Sequence, residues 1–150
     1  VGEGPFPTEL KNEIGEKLRK EGNEYGATTG RDRRCGWLDL PLLRYAIKAG
    51  HFNMLAMTKL DVLNSFKSIK ICTHYTINGL KVDCASPSMD LYNAKPVYRE
   101  FNVNLKANVE ETFKDYIEFI EQETGLKIEM IGFGPKRNEL INKWEENAAL

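Results

Sequence analysis

The stretch IKICTHYTINGLKVDC, residues 69–84, decides the predicted fold. Apolar and polar residues alternate on both sides of Asn78-Gly79, and this dipeptide favours the positive φ angles of a tight hairpin turn. The stretch therefore predicts a β-hairpin. Helical and strand-like patterns flank it, and no repeat, low-complexity tract or linker interrupts the sequence. We predict an α/β fold with a mixed sheet, flanking helices and this hairpin, as a single unit over residues 1–150.

Two helices and a strand are predicted before the hairpin. Thr8 is the expected N-cap of the first helix, in which Leu10, Ile14 and Leu18 recur at four-residue spacing until Gly22. The further predicted elements are an ordered loop over 23–36, a helix from Asp39 to Gly50, a buried strand over 52–58 and a short helix within 58–63.

One long helix and one strand are predicted after the hairpin. Asn108 opens an amphipathic helix that Gly125 closes. The apolar stripe of this helix consists of Val109, Phe113, Tyr116, Ile117 and Ile120. Residues 126–130 alternate as a strand, and a glycine-containing loop follows at 132–137. The stretch 85–106 is interrupted by proline and carries no assignment.

The composition excludes several classes of protein. Hydrophobic residues make up 41% of 150 residues, which suits one globular domain and is too many for a disordered chain. The net charge of −1 argues against a surface built for nucleic acid. No apolar run approaches the roughly 18–20 residues of a membrane span. The three cysteines, Cys35, Cys72 and Cys84, form no CxxC pair, so we expect a reducing compartment.

The loop GATTGRDRR, residues 26–34, carries the first candidate binding site. Its glycines allow a ligand to approach the backbone, and Thr28 and Thr29 offer hydroxyl groups. Arg31 and Arg33 lie two residues apart, so they project to the same side of an extended backbone. Two guanidinium groups beside two hydroxyls suit a carboxylate or a phosphate, because the arginine fork matches both geometries.

Other interpretations of this loop stay open. Asp32 is expected to face away from Arg31 and Arg33, where it can brace one of them. A solvated, charged loop is the alternative that the spacing alone slightly favours. A basic patch of Arg31, Arg33 and Arg34, aided by Trp37, would instead bind RNA, although the net charge argues against it.

Two further stretches follow predicted strands. In TKLD, residues 58–61, the Asp can accept hydrogen bonds from the ring N1–H and exocyclic amine of guanine, a pair that adenine lacks, while the Lys stem covers the base. In GFGPKR, residues 132–137, the glycines permit close backbone approach. Open α/β sheets bind ligands at such strand ends, so the two loops together would form a base pocket. A surface Lys59, a helix-capping Asp61 and a simple tight turn are the alternatives.

The remaining polar residues give weaker evidence of a functional site. His51 and His74 stand apart without a partner pattern, so we expect neither to act as a catalyst or a ligand. The serines lack the context of a nucleophile elbow. No spacing of His, Cys or carboxylate residues predicts a protein-held metal. We therefore predict no catalytic residue and no metal ligand in these 150 residues.

Four segments taken in order resemble the adenylosuccinate synthetase family: VGEGPFPTEL, GNEYGATTGRDRRCGWLDLPLLRYA, LAMTKLDVL and IGFGPKR. The resemblance runs from Val1 to about Ile141 and covers roughly the C-terminal third of that enzyme. It implies the C-terminal part of a P-loop-NTPase-like fold. It also implies a cytoplasmic homodimer that uses GTP and Mg²⁺ to join L-aspartate to IMP in AMP synthesis. The IMP 6-oxygen would be phosphorylated by GTP before the aspartate amine displaces the phosphate.

The resemblance assigns roles to individual residues. The aspartate and IMP contacts would come from Val1, Gly2, Ala27, Thr28, Thr29, Gly30, Arg31, Asp32 and Arg33. The GTP contacts would come from Arg33, Lys59, Leu60, Asp61, Gly132, Phe133 and Gly134. Among these, Thr28 and Thr29 would bind the aspartate carboxylate, and Arg31 would bridge aspartate and the IMP ribose. Lys59 and Asp61 would read guanine.

The sequence departs from the family in several respects. Many members have Ser where Gly132 stands, and many have a basic residue or Pro where Asp32 stands. The N-terminal phosphate loop, which resembles GDEGKGK, does not occur in these 150 residues. The resemblance places the catalytic acid and base and the Mg²⁺ ligands with that loop. We therefore expect a piece of a longer polypeptide that performs no synthesis alone; a non-catalytic guanine-nucleotide-binding module is the alternative.

Overall fold

A computed structural model of the protein describes residues 3–103 and 108–143, without the side chain of Glu110. The helices are α1 Glu13–Glu21, α2 Leu40–Gly50, α3 Leu60–Leu63, α4 Val109–Thr112 and α5 Lys114–Thr124. The strands are β1 Leu38–Asp39, β2 Leu55–Met57, β3 Ser68–Ile77, β4 Leu80–Val82, β5 Lys95–Asn102, β6 Ile128–Gly132 and β7 Leu140–Asn142. The chain divides into two compact units, residues 1–46 with 69–100 and residues 47–68 with 101–150. Within the described ranges, no helix has the length and apolarity that a membrane crossing needs.

The sheet of the first unit is built around β3. β1 pairs with β3 in parallel, with Leu38 opposite Ile71, and β4 pairs antiparallel, with Tyr75 opposite Val82. β5 also pairs with β3. The turn between β3 and β4 has positive φ angles of 51° at Asn78 and 79° at Gly79. The predicted hairpin and the predicted mixed sheet are therefore confirmed.

A buried cluster of Cys72, Tyr75 and Ala85 forms a core of this unit. The Tyr75 hydroxyl donates to the Asp39 carboxylate at 2.6 Å, and the Leu42 N–H donates to Asp39 Oδ1 at 3.1 Å. Burial raises the pKa of Asp39, and these two hydrogen bonds oppose that shift because they favour the carboxylate. Asp39 therefore caps α2, as predicted, and also joins α2 to the centre of the sheet.

The sheet of the second unit has the order β2-β6-β7. β2 runs parallel to β6, with Met57 opposite Ile131, and β7 runs antiparallel to β6. The apolar face of α5 is buried, and Phe101 packs edge-on against Tyr116 with ring centroids 5.5 Å apart. Since β2 and β6 are parallel, their carboxyl ends meet at one edge of this sheet.

The first helix begins later than predicted. Its N-cap is Asn12, whose Oδ1 accepts hydrogen bonds from the N–H groups of Ile14 and Gly15 at 3.1 and 3.2 Å. Thr8 is fully buried and precedes the helix, because the backbone around it pairs with the segment at Gly36. The prediction of Thr8 as the cap is therefore wrong: a long-range contact uses this residue before the helix can.

Other boundaries also differ from the predictions. The strand predicted over 52–58 is limited to Leu55–Met57, whose three residues pair with β6. Asn108 is the predicted N-cap and accepts from the Glu111 N–H at 2.9 Å, but the helix is interrupted at Phe113, where φ is −111° and ψ is 14°. β1, β5 and β7 were not predicted, because short or partly exposed strands acquire their order from distant partners rather than from a local pattern.

Candidate functional site

The loop that carries the threonines and arginines is closed by backbone pairing across its base. Tyr25 and Asp32 form an antiparallel bridge. Next to it, the Gly26 N–H donates to the Arg31 carbonyl at 2.8 Å, and the Arg33 N–H donates to the Glu24 carbonyl at 3.0 Å. Residues 27–30 form the exposed tip. The loop is thus a small hairpin that holds Thr28 and Thr29 in solvent.

A turn inside this tip requires glycine. Gly30 has a φ of 65°, in the left-handed region, and its N–H donates to the Gly26 carbonyl at 2.8 Å. The Arg31 N–H points to Thr29 Oγ1 at 3.4 Å. These contacts fold the backbone of the tip back on itself and bring the two threonines and the first arginine onto one short segment.

Ion pairs fasten the arginines and the aspartate of the loop. Arg33 donates to Glu24 at 2.9 Å. Asp32 Oδ2 lies 3.4 Å from the guanidinium of Arg19, whose Nε also donates to the Arg33 carbonyl at 2.9 Å. Asp32 was expected to brace Arg31 or Arg33, and this expectation is wrong. The cross-strand register places Asp32 opposite Tyr25, where α1 presents Arg19.

Arg31 has the loosest attachment in the loop. Its guanidinium lies 3.6 Å from the Glu3 carboxylate, with the two side chains 81% and 94% exposed. Such an exposed pair contributes little stability. A carboxylate or phosphate with the geometry to accept two hydrogen bonds therefore competes for Arg31 at little cost. Arg31, Thr28 and Thr29 together offer an accessible set of donors for a small anion.

Sequence reasoning missed the contacts of Arg34 within this region. Arg34 Nε and Nη2 donate to the two carboxylate oxygens of Glu9 at 3.0 and 2.9 Å. Its Nη1 donates to the Gly4 carbonyl at 2.9 Å, and its guanidinium lies 5.3 Å from the centre of the Phe6 ring. These hydrogen bonds lower the pKa of Glu9 and raise the pKa of Arg34. No local spacing signals a pair 25 residues apart.

The second group of candidate residues lies at the carboxyl edge of the parallel pair β2 and β6. The TKLD loop follows β2, and the GFGPKR loop begins with Gly132, the last residue of β6. A Cβ placed on Gly132 would lie 3.7 Å from Thr58 Cα, which is ordinary van der Waals contact. The structure therefore brings Thr58 and Gly132, and with them the two loops, next to each other.

The backbone at Lys59 has an uncommon conformation. Its φ of 59° and ψ of 35° lie in the left-handed region, which costs a non-glycine residue roughly 1–2 kcal/mol. Strain of this kind is concentrated at functional sites. Leu60, only 1% exposed, anchors the start of α3 in the core. The strained residue therefore joins the strand end to a rigid short helix.

Asp61 holds a buried acceptor that the described residues leave unsatisfied. Its Oδ1 atom is buried, and no donor in residues 3–103 or 108–143 hydrogen bonds to it. Buried polar atoms are almost always paired, because an unpaired one costs roughly 1–3 kcal/mol. At the carboxyl edge of the parallel strand pair, such an atom can accept a hydrogen bond from a ligand.

Glu139 organises the loop after β6 and was also missed from the sequence. Its carboxylate accepts from the Lys136 N–H at 2.8 Å, and its carbonyl accepts from the Phe133 N–H at 2.9 Å. A Cβ on Gly134 would lie 2.5 Å from the Glu139 carboxyl carbon, so only glycine fits there without displacing this bonded side chain. The Glu139 side chain thus closes the turn and keeps Gly134 next to its carboxylate.

Three further predictions concern residues outside these two groups. Val1 and Gly2 lie outside the described residues. His74 bonds through its ring Nδ1 to the Thr73 hydroxyl at 2.9 Å. Over residues 3–103 and 108–143, no three His, Cys, Asp or Glu side chains are grouped so that they could hold a metal ion.

Comparisons of this sequence with known proteins agree on one family. The sequence model of the adenylosuccinate synthetase family matches residues 1–141. The adenylosuccinate synthetase of Thermotoga maritima is 50% identical over 141 residues, which cover 94% of this chain and 34% of the relative. That of Petrotoga mobilis is 49% identical over 143 residues, 95% of this chain and 34% of the relative.

A solved structure agrees with the sequence relatives. The fully ligated adenylosuccinate synthetase of Plasmodium falciparum matches with a TM-score of 0.85 and 38% identity, over 95% of this chain and 37% of that chain. The present chain thus spans about a third of the length of the proteins that it matches. With the family model covering nearly the whole sequence, the chain belongs to the adenylosuccinate synthetase family.

Proposed function

We propose that the protein containing this chain joins L-aspartate to IMP at the expense of GTP, yielding adenylosuccinate, GDP and phosphate. The chain would supply the loop that binds aspartate and the strand edge that binds guanine. Membership of the family supports this assignment. The proposal includes Mg²⁺ as the metal of the reaction, and a homodimer in the cytoplasm as the working form.

The unsatisfied acceptor of Asp61 carries the guanine part of the proposal. Guanine presents two adjacent donors, the ring N1–H and the exocyclic amine, to a carboxylate. Asp61 Oδ1 is a buried oxygen without a donor among the described residues, at the edge where open α/β sheets bind ligands. Adenine has no such pair of donors, so this carboxylate would select GTP over ATP.

The neighbouring residues would enclose the base. The Lys59 stem would cover one face of the ring, with its ammonium group in water, while Leu60 fixes the position of the loop. Gly132 lies in van der Waals reach of Thr58, so residues 132–134 would wall the opposite side. Phe133 belongs to this wall and is held by its N–H bond to the Glu139 carbonyl.

The exposed loop would bind the second substrate. Thr28 and Thr29 would donate to an aspartate carboxylate, and Arg31 would lie between aspartate and the IMP ribose. Arg33 would reach the phosphate end of GTP once it leaves Glu24, which it contacts at 2.9 Å. Ala27, Gly30 and Asp32 would shape the turn, and Val1 and Gly2 would lie near IMP.

The proposed reaction has two steps. The IMP 6-oxygen attacks the γ-phosphorus of GTP as N1 of IMP loses its proton, and GDP leaves. The aspartate amine then attacks C6, phosphate leaves, and the amine loses a proton. The residues of this chain contribute by holding anions in line rather than by proton transfer. Over residues 3–103 and 108–143, no three His, Cys, Asp or Glu side chains are grouped to hold a metal ion, so the residues proposed here do not fit a Mg²⁺ site.

An activity assay tests the proposal directly. The protein that contains this chain should release phosphate from GTP only when IMP and L-aspartate are both present, and ATP should not replace GTP. The 150-residue chain alone should show no turnover, because it contains no GDEGKGK-like phosphate loop. Phosphate release that does not depend on aspartate would contradict the ligase assignment. Tight GTP binding by the isolated chain without turnover in the longer protein would favour a binding module.

A further inference from the structure

We propose that Glu9 and Arg34 are positioning residues for the aspartate substrate: their ion pair docks the backbone of residues 3–10 against residues 34–36, directly after the 26–33 loop, and thereby fixes the place of Arg31. This inference rests on the proposed function, because it assigns Arg31 to aspartate. Neither Glu9 nor Arg34 would contact the substrate.

The ion pair is built more firmly than the others of this region. Arg34 donates to both oxygens of Glu9 at 2.9–3.0 Å, a bidentate geometry that fixes orientation as well as distance. The two side chains are only 30% and 16% exposed, against 81% and 94% for Arg31 and Glu3. Water and salt therefore screen the Glu9–Arg34 pair far less than the Arg31–Glu3 pair.

Arg34 also reaches the start of the described chain. Its Nη1 donates to the Gly4 carbonyl at 2.9 Å, and its guanidinium lies over the Phe6 ring at 5.3 Å. One side chain thus contacts three positions of the segment 3–10. Because Arg34 directly follows Arg33, these contacts hold the end of the 26–33 loop against the segment 3–10.

The backbone contacts of the two segments show the same docking. The Leu10 N–H donates to the Cys35 carbonyl at 2.9 Å, and Glu9 pairs with Gly36 in an isolated antiparallel bridge. A Cβ on Gly36 would lie 2.8 Å from the Thr8 carbonyl carbon, closer than real side chains approach. The glycine permits the approach and the ion pair holds it.

Docking matters for Arg31 because its own contact is weak. Among residues 3–10, Arg31 contacts the Glu3 carboxylate, at 3.6 Å and in solvent. The loop base must therefore hold Arg31 in place before a ligand arrives. A misplacement of about 1 Å at a substrate-positioning group is enough to reduce the rate strongly.

The test uses Glu9→Gln and Arg34→Lys in the full protein. Both remove the bidentate ion pair while keeping side chains of similar length. We expect the KM for aspartate to rise roughly tenfold, while the KM for GTP and the folded fraction stay unchanged. The double variant should be no worse than the more affected single variant, because both changes break one interaction. Lys81→Gln is the matched control, since it removes an exposed ion pair of the same 2.9 Å distance to Asp83.

Hydrogen exchange separates this inference from the proposed function. The amide of Leu10, bonded across the two segments, should exchange faster in both variants than in the wild type. If the wild-type protein lacks ligase activity, the proposed function fails, and the exchange rates still report whether the pair docks the segments. An unchanged aspartate KM in both variants, an equal rise of KM for all substrates, or unfolding of both variants would overturn the positioning role.

Discussion

The 24–33 loop and the carboxyl edge of β2 and β6 are built in opposite ways. In the loop, residues 27–33 are all exposed, and ion pairs together with a few cross-loop hydrogen bonds close the base. At the edge, the parallel pair β2 and β6 sets the backbone, with a register shift between Leu55 and Ala56. The buried side chains of Leu60 and Ile131 anchor it. The loop is held by charges in water, whereas the edge is held by packing.

Because of this difference, the two regions would bind a ligand in different ways. The edge keeps Asp61 Oδ1 buried, so a ligand meets an acceptor whose position is already fixed. Preorganised groups of this kind give specificity, because a ligand without the matching donors leaves a buried atom unpaired. The loop offers exposed donors that adjust to an anion, and salt screens them more strongly. Selectivity should therefore depend on the edge, and salt-sensitive affinity on the loop.

The largest effect is expected from Asp61→Asn in the full protein. Hydrogen bonds to a charged group contribute about 1.5–3 kcal/mol each, so kcat/KM for GTP should fall by about 100-fold or more. Xanthosine triphosphate should become the better substrate, because its ring carries an acceptor where guanine has the amine and the new amide donates to it. Competition between the two nucleotides measures this change.

Asp115→Asn is the matched control for that experiment. Asp115 is an exposed carboxylate in the first turn of α5, in the same unit as Asp61. Its replacement should leave the preference for GTP unchanged. If Asp61→Asn also left the preference unchanged, Asp61 would not contact the base, and the edge would not be the specificity site.

A smaller effect is expected from Arg31→Leu. Loss of a charge-assisted hydrogen bond should raise the KM for aspartate by roughly 10- to 100-fold and lower turnover, while the KM for GTP changes little. Steady-state kinetics at two salt concentrations test this and compare the loop with the edge. Lys48→Leu, which removes an exposed positive charge of α2, should leave both KM values unchanged. Normal aspartate kinetics in Arg31→Leu would reject its role.

The smallest effects concern two glycines: Gly36 in the docked segments that follow the loop, and Gly132 at the edge. Gly36→Ala should lower the free energy of unfolding by about 1–3 kcal/mol, because the new Cβ would lie 2.8 Å from the Thr8 backbone. Gly132→Ser should change it by less than about 0.5 kcal/mol, since the nearest atom lies at an ordinary 3.7 Å. Denaturant unfolding measures both. Equal destabilisation would mean that the edge is packed as tightly as the docked segments.

The sequence predictions were correct where a structural feature depends on residues close together in the chain. The turn at Asn78-Gly79 was predictable because its φ angles suit those two residues, and the Asp39 and Asn108 caps were predictable because each bonds an N–H three residues ahead. The start of α1 could not be predicted, because a distant segment buries Thr8 and Asn12 caps the helix instead.

The site residues show the same division. The chemistry of Thr28, Arg31 and Asp61 could be proposed from their residue types and from their places in the loop and after the strand. The partners could not: Arg19 for Asp32 and Glu9 for Arg34 come from segments far apart in the chain. The left-handed backbone of Lys59 could not be predicted either, because lysine has no local preference for that conformation.

The hairpin, the caps of two helices and the chemistry of both candidate binding regions could be predicted from the sequence. These properties depend on backbone preferences and side-chain chemistry within a few residues. Folding set which acceptor stays buried without a donor among the described residues, which arginine is loosely held, and that Glu9 meets Arg34. Such properties depend on desolvation and on contacts between segments far apart in the chain, and these exist only once the chain has folded.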